Sequence, residues 1–237
     1  MNFMVRPSKS FLFDELERRL SKIKKGVGLD AACAGFKNRK MFKTEKYIGL
    51  DINLDALRQG VYNLPVAAGA YGLWADLTNL AKLPSNSFAV VVSTNTLYGL
   101  PAEKRRAAME GLCRLVAPDG SFFCDSENDS ELAESLKVLK KNFSQLKIIY
   151  FKNIISQAYE KLFEKQGDLG WHKIAGLKPF RLLAWLISRL EYLTGNFQFL
   201  NKQVFIICQN KIGAAEKNVL DLNRLPLVEK NIYSLMP

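Results

Sequence analysis

Residues 26–51 read GVGLDAACAGFKNRKMFKTEKYIGLD, and this stretch decides the fold. A short apolar segment ends at Asp30 and passes into a turn of small residues, and a second apolar segment ends at Asp51. The two acids are about twenty residues apart, the spacing of the ribose-binding acid in a mononucleotide-binding βαβ unit. If both segments are neighbouring parallel strands, both carboxylates lie at the carboxyl edge of one sheet, where open α/β sheets bind ligands.

Strand-like and helix-like segments alternate along the rest of the chain. Residues 88–93, FAVVVS, form a continuous apolar run, which is typical of a central parallel strand covered on both faces. The alternation predicts an α/β fold with a doubly wound, mostly parallel sheet. The predicted strands cover residues 26–31, 47–51, 70–75, 88–93, 121–125, 146–151 and 204–208. The predicted helices cover residues 8–25, 36–42, 54–62, 130–143, 155–165 and 179–192, and a further helix begins at Pro101.

The same alternation divides the chain into parts. Residues 1–25 hold an amphipathic helix that we expect to pack beside the sheet and close one side of a pocket. Residues 26–152 form the α/β core, and residues 201–212 supply its last strand. Residues 153–200 are too many for a simple connection, so we expect a helical cap over the carboxyl edge. Residues 213–237 have no strong period and are predicted to be a peripheral tail.

Composition and charge narrow the class of protein. The 237 residues are 48% hydrophobic and 24% charged, which is ordinary for a globular protein. The longest apolar run, residues 182–187, is far short of the roughly 20 residues that cross a bilayer. The N-terminus lacks a signal-peptide core, so we expect a cytoplasmic location. The net charge of +11 comes from scattered lysines and arginines, so a nucleic-acid partner stays open but is not favoured.

Cysteine and histidine usage argues against a metal site. The four cysteines are widely spread with no C-x-x-C pair, and the chain has a single histidine. We therefore predict no metal centre and no disulfide framework, and we interpret the cysteines as isolated buried thiols.

Three aspartates, Asp30, Asp51 and Asp76, follow the first three predicted strands. Each one alone has the pattern of a turn-capping residue, but their joint placement favours a ligand site. A carboxylate at Asp51 can accept both hydroxyls of a ribose, and one at Asp76 can accept from an adenine amino group.

Five motifs carry a resemblance to a known family. The segments GLDAACAG, YIGLDI, WADLTNL, LPSNSFAVVVSTNTLYGLP and LCRLVAPDGSF, in this order and at these spacings, resemble the motif series of class I S-adenosylmethionine-dependent methyltransferases. The match is best to the small-molecule group called methyltransferase type 11, over residues 26–125, and residues 203–209 resemble the family's final strand. The resemblance implies a seven-stranded Rossmann-like sheet, S-adenosylmethionine as cofactor, and methyl transfer to a small-molecule or lipid-like acceptor.

The resemblance also implies roles for individual residues. Asp51 would hold the ribose hydroxyls and Ile52 would pack on the adenine, while Asp76 and Leu77 would recognise the adenine edge. The loop beside the methionine part of the cofactor would comprise Asp30, Ala31, Ala32, Cys33 and Gly35. The end of the fourth strand would line the cofactor with Ser93, Thr94 and Asn95.

The first motif departs from the family pattern. The family's glycine positions are here Ala32, Ala34 and Phe36, with Gly35 lying between them. Since alanine lacks glycine's freedom at positive φ, we expect the loop to use a different turn or to approach the cofactor less closely.

Two residues are candidates for catalysis. His172 lies in the predicted cap and is a candidate general base for a hydroxyl acceptor. Tyr98 takes the place where many relatives carry a histidine and is a candidate polar contact. A non-catalytic scaffold that kept the fold, and a nucleic-acid methyltransferase, stay open as alternatives. A nicotinamide-dependent oxidoreductase is disfavoured because no G-x-G-x-x-G follows the first strand.

Overall fold

The computed structural model describes residues 4–63, 69–164, 171–213 and 216–236, and these residues form one nine-stranded sheet covered by helices. The strands are β1 (Val27–Ala31), β2 (Lys46–Asp51), β3 (Ala70–Trp74), β4 (Phe88–Ser93), β5 (Val116–Glu127), β6 (Phe143–Asn153), β7 (Asn201–Lys211), β8 (Leu227–Glu229) and β9 (Ile232–Ser234). The α-helices are α1 (Pro7–Leu20), α2 (Leu54–Tyr62), α3 (Ala102–Leu115), α4 (Leu132–Asn142), α5 (Ile154–Phe163) and α6 (Lys178–Thr194). The last residue of the helix predicted over 155–165, Lys165, lies outside the described residues.

The strand order confirms the predicted α/β architecture. The sheet runs β6-β7-β5-β4-β1-β2-β3-β9-β8. Strands β5, β4, β1, β2, β3 and β9 are parallel to their neighbours in that order, whereas β7 is antiparallel to both β5 and β6 and β8 is antiparallel to β9. The chain order reverses direction across the sheet between β1 and β4, which is where open α/β sheets form a crevice.

Helices pack on both faces because successive side chains of a strand point to opposite faces. Val90 and Val92 of β4 pack in one cluster with Phe11 and Leu16 of α1. Val91 packs in the opposite cluster, which includes Met109, Leu112 and Leu139 of α3 and α4. The run FAVVVS is therefore buried from both sides, as its uniform apolar composition predicts.

The predicted count of seven strands and the peripheral tail need correction. The tail contributes β8 and β9, and β9 adds to the sheet in parallel beside β3. Ile232 and Leu235 are buried, with exposures of 1% and 3%. The pattern was missed because strands of three residues are too short to show a period of two.

Three local elements also differ from the predictions. The turn expected at residues 118–120 lies inside β5, where the register with β4 shifts so that Val116 pairs with Phe88 and Ser121 with Val90. The helix expected over 36–42 is a single 3-10 turn at Arg39–Met41. Helix α1 ends at Leu20, ahead of the lysines that extended its predicted range.

The burial of β9 generates a stability prediction. Replacing Ile232 by alanine removes a buried side chain that packs against Gly72, so we expect Ile232→Ala to lower the free energy of unfolding by about 2–4 kcal/mol. Urea denaturation followed by circular dichroism measures it. The control Val219→Ala changes a side chain that is 86% exposed and should stay within about 0.5 kcal/mol of wild type. Equal stability of the two variants would show that the tail does not join the sheet.

Candidate functional site

A cleft of about 630 Å³ opens at the carboxyl ends of β1 and β4. Its floor includes four residues of the predicted site, Ala32, Cys33, Thr94 and Asn95. Helix α1 closes one side with Phe13 and its neighbours, which confirms the position predicted for the N-terminal helix. Trp171, before α6, and Arg181, within α6, also line the cleft. The remaining lining residues are Met4, Val5, Arg6, Lys9, Ala34, Lys37, Asn38 and Thr96.

The loop after β1 keeps a left-handed backbone at the positions where the family has glycine. Ala32, Ala34 and Phe36 have φ angles of 61°, 50° and 61°. The expectation of a different turn or a less close approach to the cofactor therefore stays a prediction, but alanine does adopt positive φ here. A non-glycine residue in this region costs on the order of 1–2 kcal/mol, so the surrounding structure must hold the loop in place.

The bulk of Phe36 is accommodated by two glycines outside the loop. Phe36 is buried, and a Cβ added to Gly60 of α2 would lie 2.7 Å from Phe36 Cγ. A Cβ on Gly49 of β2 would also overlap the Phe36 ring and would lie 2.7 Å from Cys33 Sγ. Glycine is therefore absent at positions 32, 34 and 36 of the loop but is required in β2 and α2, which receive the Phe36 side chain.

Asp51 holds this loop from the end of β2. Its Oδ2 accepts a hydrogen bond from Ala34 N at 2.7 Å, and its Oδ1 accepts from Asn53 N at 2.9 Å. Each carboxylate oxygen has a further lone pair for a ligand hydroxyl. The side chain is partly exposed, so its position is compatible with the predicted ribose contact.

Asp30 has a different environment from the one that the sequence predicts. Its side chain is 1% exposed and does not line the cleft. Its oxygens accept hydrogen bonds from Tyr47 Oη at 2.8 Å and Asn38 Nδ2 at 3.1 Å. Burial raises the pKa of Asp30 to about 6, which the two donors only partly offset. Through these two hydrogen bonds, the carboxyl group on β1 connects that strand to β2 and to the loop.

The residues predicted to contact adenine lie at the ends of β2 and β3, outside the lining of the cleft. Ile52 is 60% exposed, and its carbonyl accepts a hydrogen bond from Trp74 Nε1 at 3.0 Å. Asp76 Oδ1 accepts from both Thr78 N and Thr78 Oγ1 at 2.8 Å, which lowers the pKa of Asp76. Asp76 therefore caps its own turn, and its second oxygen is left for a ligand donor. Leu77 is buried.

Asp125, at the end of β5, is a site residue that the sequence analysis missed. Its Oδ1 accepts from Asn95 N at 2.7 Å, and its Oδ2 is buried without a hydrogen-bond partner, as is Ser93 Oγ. Burial raises the pKa of Asp125 to about 6. An acid at the end of a further apolar strand was the signal that could have found it. These two unpartnered oxygens lie at the end of the fourth and fifth strands, where a ligand donor would satisfy them.

Lys9 of α1 faces the same region and was also missed. Burial lowers the pKa of Lys9 to about 8, and the negative charges of Asp125 and Glu160 oppose that shift. Glu160 in turn accepts from Ser8 N at 3.2 Å and forms an ion pair with Arg6 at 3.1 Å. The carboxylate at the N-terminus of α1 complements the helix dipole and fixes the first turn beside the cleft.

The two catalytic candidates occupy different surroundings, and neither is among the residues that line the cleft. Tyr98 is half-buried, and its hydroxyl lies 3.5 Å from Asn95 Oδ1. Burial raises the pKa of Tyr98 to about 12, helped by Asp125. His172 is exposed and precedes the 3-10 turn Lys173–Gly176, next to Trp171 of the cleft wall. Their catalytic roles stay predictions.

Three further findings concern metals, thiols and membranes. In the described ranges, no group of three or more histidine, cysteine, aspartate or glutamate side chains is arranged to hold a metal ion. All four cysteines are buried free thiols, as predicted. None of the helices in the described residues has the length and apolar character needed to cross a membrane.

The left-handed loop generates a prediction about backbone strain. Replacing Ala34 by glycine should raise the free energy of unfolding by about 0.5–1 kcal/mol, because relief of the positive φ exceeds glycine's entropic cost. Thermal and urea denaturation measure it. The matched change Ala108→Gly, in the middle of α3, should lower stability by about 1 kcal/mol or more. A loss of stability in both variants would contradict the observed loop backbone.

The buried carboxyl of Asp30 generates a pH prediction. Because its folded-state pKa is about 6 and its ordinary value is 3.8, its contribution to stability is present below about pH 4 and is lost as the pH rises through 6. Relative to Asp30→Asn, the wild type should lose on the order of 1–3 kcal/mol of unfolding free energy between acidic and neutral pH. Urea titrations across that range measure it. The exposed control Asp55→Asn should run parallel to wild type, and a parallel curve for Asp30→Asn would contradict the assignment.

Comparison with known family models finds a match for part of the α/β core. Residues 26–124 match the model of a family described as methyltransferase domain. No curated protein sequence matches the chain significantly.

Solved structures share the fold at low identity. The N-methyltransferase NodS from Bradyrhizobium japonicum WM9, in complex with S-adenosyl-L-homocysteine, is 12% identical with a TM-score of 0.55 over 88% of this chain and 89% of its own. A SAM-dependent methyltransferase from Archaeoglobus fulgidus is 17% identical with a TM-score of 0.53, over 85% and 94% of the two chains. A phosphoethanolamine N-methyltransferase 2 from Haemonchus contortus is 13% identical with a TM-score of 0.52, over 84% of this chain and 52% of its own. The resemblance found in the sequence is therefore confirmed: residues 26–124 match the methyltransferase domain model, and the chain has the fold of class I methyltransferases.

Proposed function

We propose that the chain is an S-adenosylmethionine-dependent methyltransferase that acts on a small-molecule acceptor. The observation that carries the proposal is the loop 32–36, in which Ala32, Ala34 and Phe36 stand at positive φ at the positions where the family has glycine. Three non-glycine residues at positive φ raise the free energy of the folded state, so contacts elsewhere in the protein must stabilise this loop. Such strain is characteristic of a site that must present backbone to a ligand.

The residues at the carboxyl edge fit the cofactor. Asp51 offers lone pairs to the ribose hydroxyls, and the exposed face of Ile52 offers apolar surface to the adenine. The cleft beside Ala32 and Ala34 is large enough for the amino-acid part together with an acceptor, since ligand pockets span roughly 300–1,000 Å³. The buried Ser93 Oγ supplies a polar group that has no partner within the described residues.

The chemistry requires mainly alignment from the protein. When bound, S-adenosylmethionine supplies a methyl group on a sulfonium, which already carries a good leaving group. The chain's contribution is to hold an acceptor in line and to exclude water, and such positioning can lower a barrier by several kcal/mol. Helix α1 and the wall formed by Trp171 and Arg181 provide that enclosure, so we assign the helical cap to acceptor binding.

The second requirement is that a side chain binds or accepts the proton that the acceptor loses. We keep Tyr98 and His172 as proposed participants. Tyr98 is a neutral hydroxyl near neutral pH because its pKa is raised to about 12, so it would act as a hydrogen-bond donor. His172 would need a substrate that extends past Trp171 to reach it, because its own side chain is exposed outside the cleft lining.

The alternative of a non-catalytic scaffold has a specific observation in its favour. The Cβ atoms of Ala32 and Ala34 stand where the family presents bare backbone. A scaffold would keep the fold and bind no cofactor. Isothermal titration calorimetry with S-adenosylmethionine and S-adenosylhomocysteine distinguishes the enzyme from the scaffold. Heat of binding supports the enzyme. The absence of heat for both ligands at millimolar concentration would support the scaffold.

The proposed ribose contact gives a matched pair of variants. Asp51→Ala should weaken S-adenosylhomocysteine binding by on the order of 1–3 kcal/mol, because it leaves the ribose hydroxyls and Ala34 N without an acceptor. Calorimetry measures the affinity. Asp55→Ala, four residues along and 79% exposed at its side chain, is the control and should bind like wild type. Equal affinity in the two variants would show that Asp51 does not hold the ribose.

A further inference from the structure

The walls of the cleft carry an excess of positive charge. Among its fifteen lining residues are four cations, Arg6, Lys9, Lys37 and Arg181, and no acid. The cations come from the start of α1, the loop after β1 and α6, so they do not form one solvated helix face. A cleft lined by one sign of charge concentrates ligands of the opposite sign.

Two of these cations have buried donors without acceptors. The Nε–H groups of Arg6 and Arg181 are both buried and unpaired. A buried donor that lacks an acceptor costs on the order of 1–3 kcal/mol, so the arrangement favours a ligand that brings oxygen atoms. Two guanidinium groups are well suited to a carboxylate or phosphate because their planar donors match its geometry.

The two arginines differ in how their charge is balanced. Arg6 is tied to Glu160 at 3.1 Å and lies over the Trp171 ring at 5.2 Å, so its orientation is fixed in advance. Arg181 forms no ion pair with any acid in the described ranges. Its charge is therefore the one most available to a ligand.

Lys9 adds a partly desolvated ammonium to the same wall. Burial is the main influence on its pKa, and Asp125 and Glu160 supply negative charge that keeps the cation in place. No carboxylate lines the cleft beside it. An anionic ligand would recover the solvation that the ammonium has lost.

We propose that this cleft takes an anionic acceptor, a small molecule bearing a carboxylate or phosphate group that binds Arg181, Arg6 and Lys9 next to the cofactor. The inference rests on the proposed function and names its substrate class. The same lining includes Ala32 to Ala34 and Thr94 to Thr96, so the anion lies beside the loop that would hold the cofactor. The lysines and arginines of the chain are scattered instead of forming a basic stripe, which favours a small molecule over a nucleic-acid strand.

Calorimetry with the full chain tests the proposal. The chain, saturated with S-adenosylhomocysteine, is titrated with glucose 6-phosphate and with citrate, and with glucose as the neutral counterpart. We expect heat from at least one anion and none from glucose. Heat from one anion alone distinguishes a phosphate from a carboxylate acceptor. Equal behaviour of glucose and both anions would overturn the proposal.

Matched variants localise the binding. Arg181→Gln should lower the affinity for the anion by about ten-fold or more and leave the affinity for S-adenosylhomocysteine unchanged. Arg224→Gln, whose side chain is 85% exposed in the tail, should change neither affinity. Arg181→Gln could also weaken the binding of S-adenosylhomocysteine, with the anions binding only when S-adenosylhomocysteine is absent. In that case the cations bind the cofactor, and the inference fails while the proposed function stands.

Two further outcomes separate the hypotheses. If the anions bind in an Arg181-dependent manner and S-adenosylhomocysteine does not bind at all, the anion site stands and the proposed function fails. If a short single-stranded oligonucleotide binds through Arg181 and neither small anion does, the acceptor is a nucleic acid and the inference is overturned.

Discussion

The hydrogen bond from Ala34 N to Asp51 Oδ2 is the interaction on which the site depends. It ties the loop after β1 to the end of β2 at 2.7 Å and holds the backbone where alanine would otherwise avoid positive φ. The buried Asp30 fixes the other end of the loop through Tyr47 and Asn38. Two carboxylates on neighbouring parallel strands therefore replace the conformational freedom that glycine gives to related loops.

Compensation at a distance explains how the altered loop folds. A glycine at a loop position normally serves two purposes, since it permits positive φ and leaves space for close packing. In this chain the φ angles are retained under strain, whereas the space is provided by Gly49 and Gly60, which receive the ring of Phe36. A change of one loop residue is thus coupled to β2 and α2. The loop therefore reaches its left-handed backbone without glycine at positions 32, 34 and 36.

The sequence predicted the core well because its signals are local. The uniform run of β4 and the aspartates after three successive strands depend on short segments and on the geometry of a parallel sheet. Lys9 and β9 were missed for a different reason. Lys9 reaches the cleft only because Glu160, far along the chain, anchors the first turn of α1. Strand β9 is held by its pairing with β3, which no local period reveals, whereas Asp125 carried the same local signal as the other three acids.

The charges around the cleft have two separate origins. Asp51 and Asp125 lie near the carboxyl ends of core strands, outside the cleft lining, whereas the lining cations Arg6, Lys9 and Arg181 lie at the start of α1 and in α6. The core must keep its acids because they hold the loop and the strand ends in place. Helix α1 also packs Phe11, Leu12 and Leu16 into the core, so only its cleft-facing residues are free to vary with a ligand. In the proposed function, cofactor binding belongs to the sheet and selection of the acceptor to the helices packed beside it.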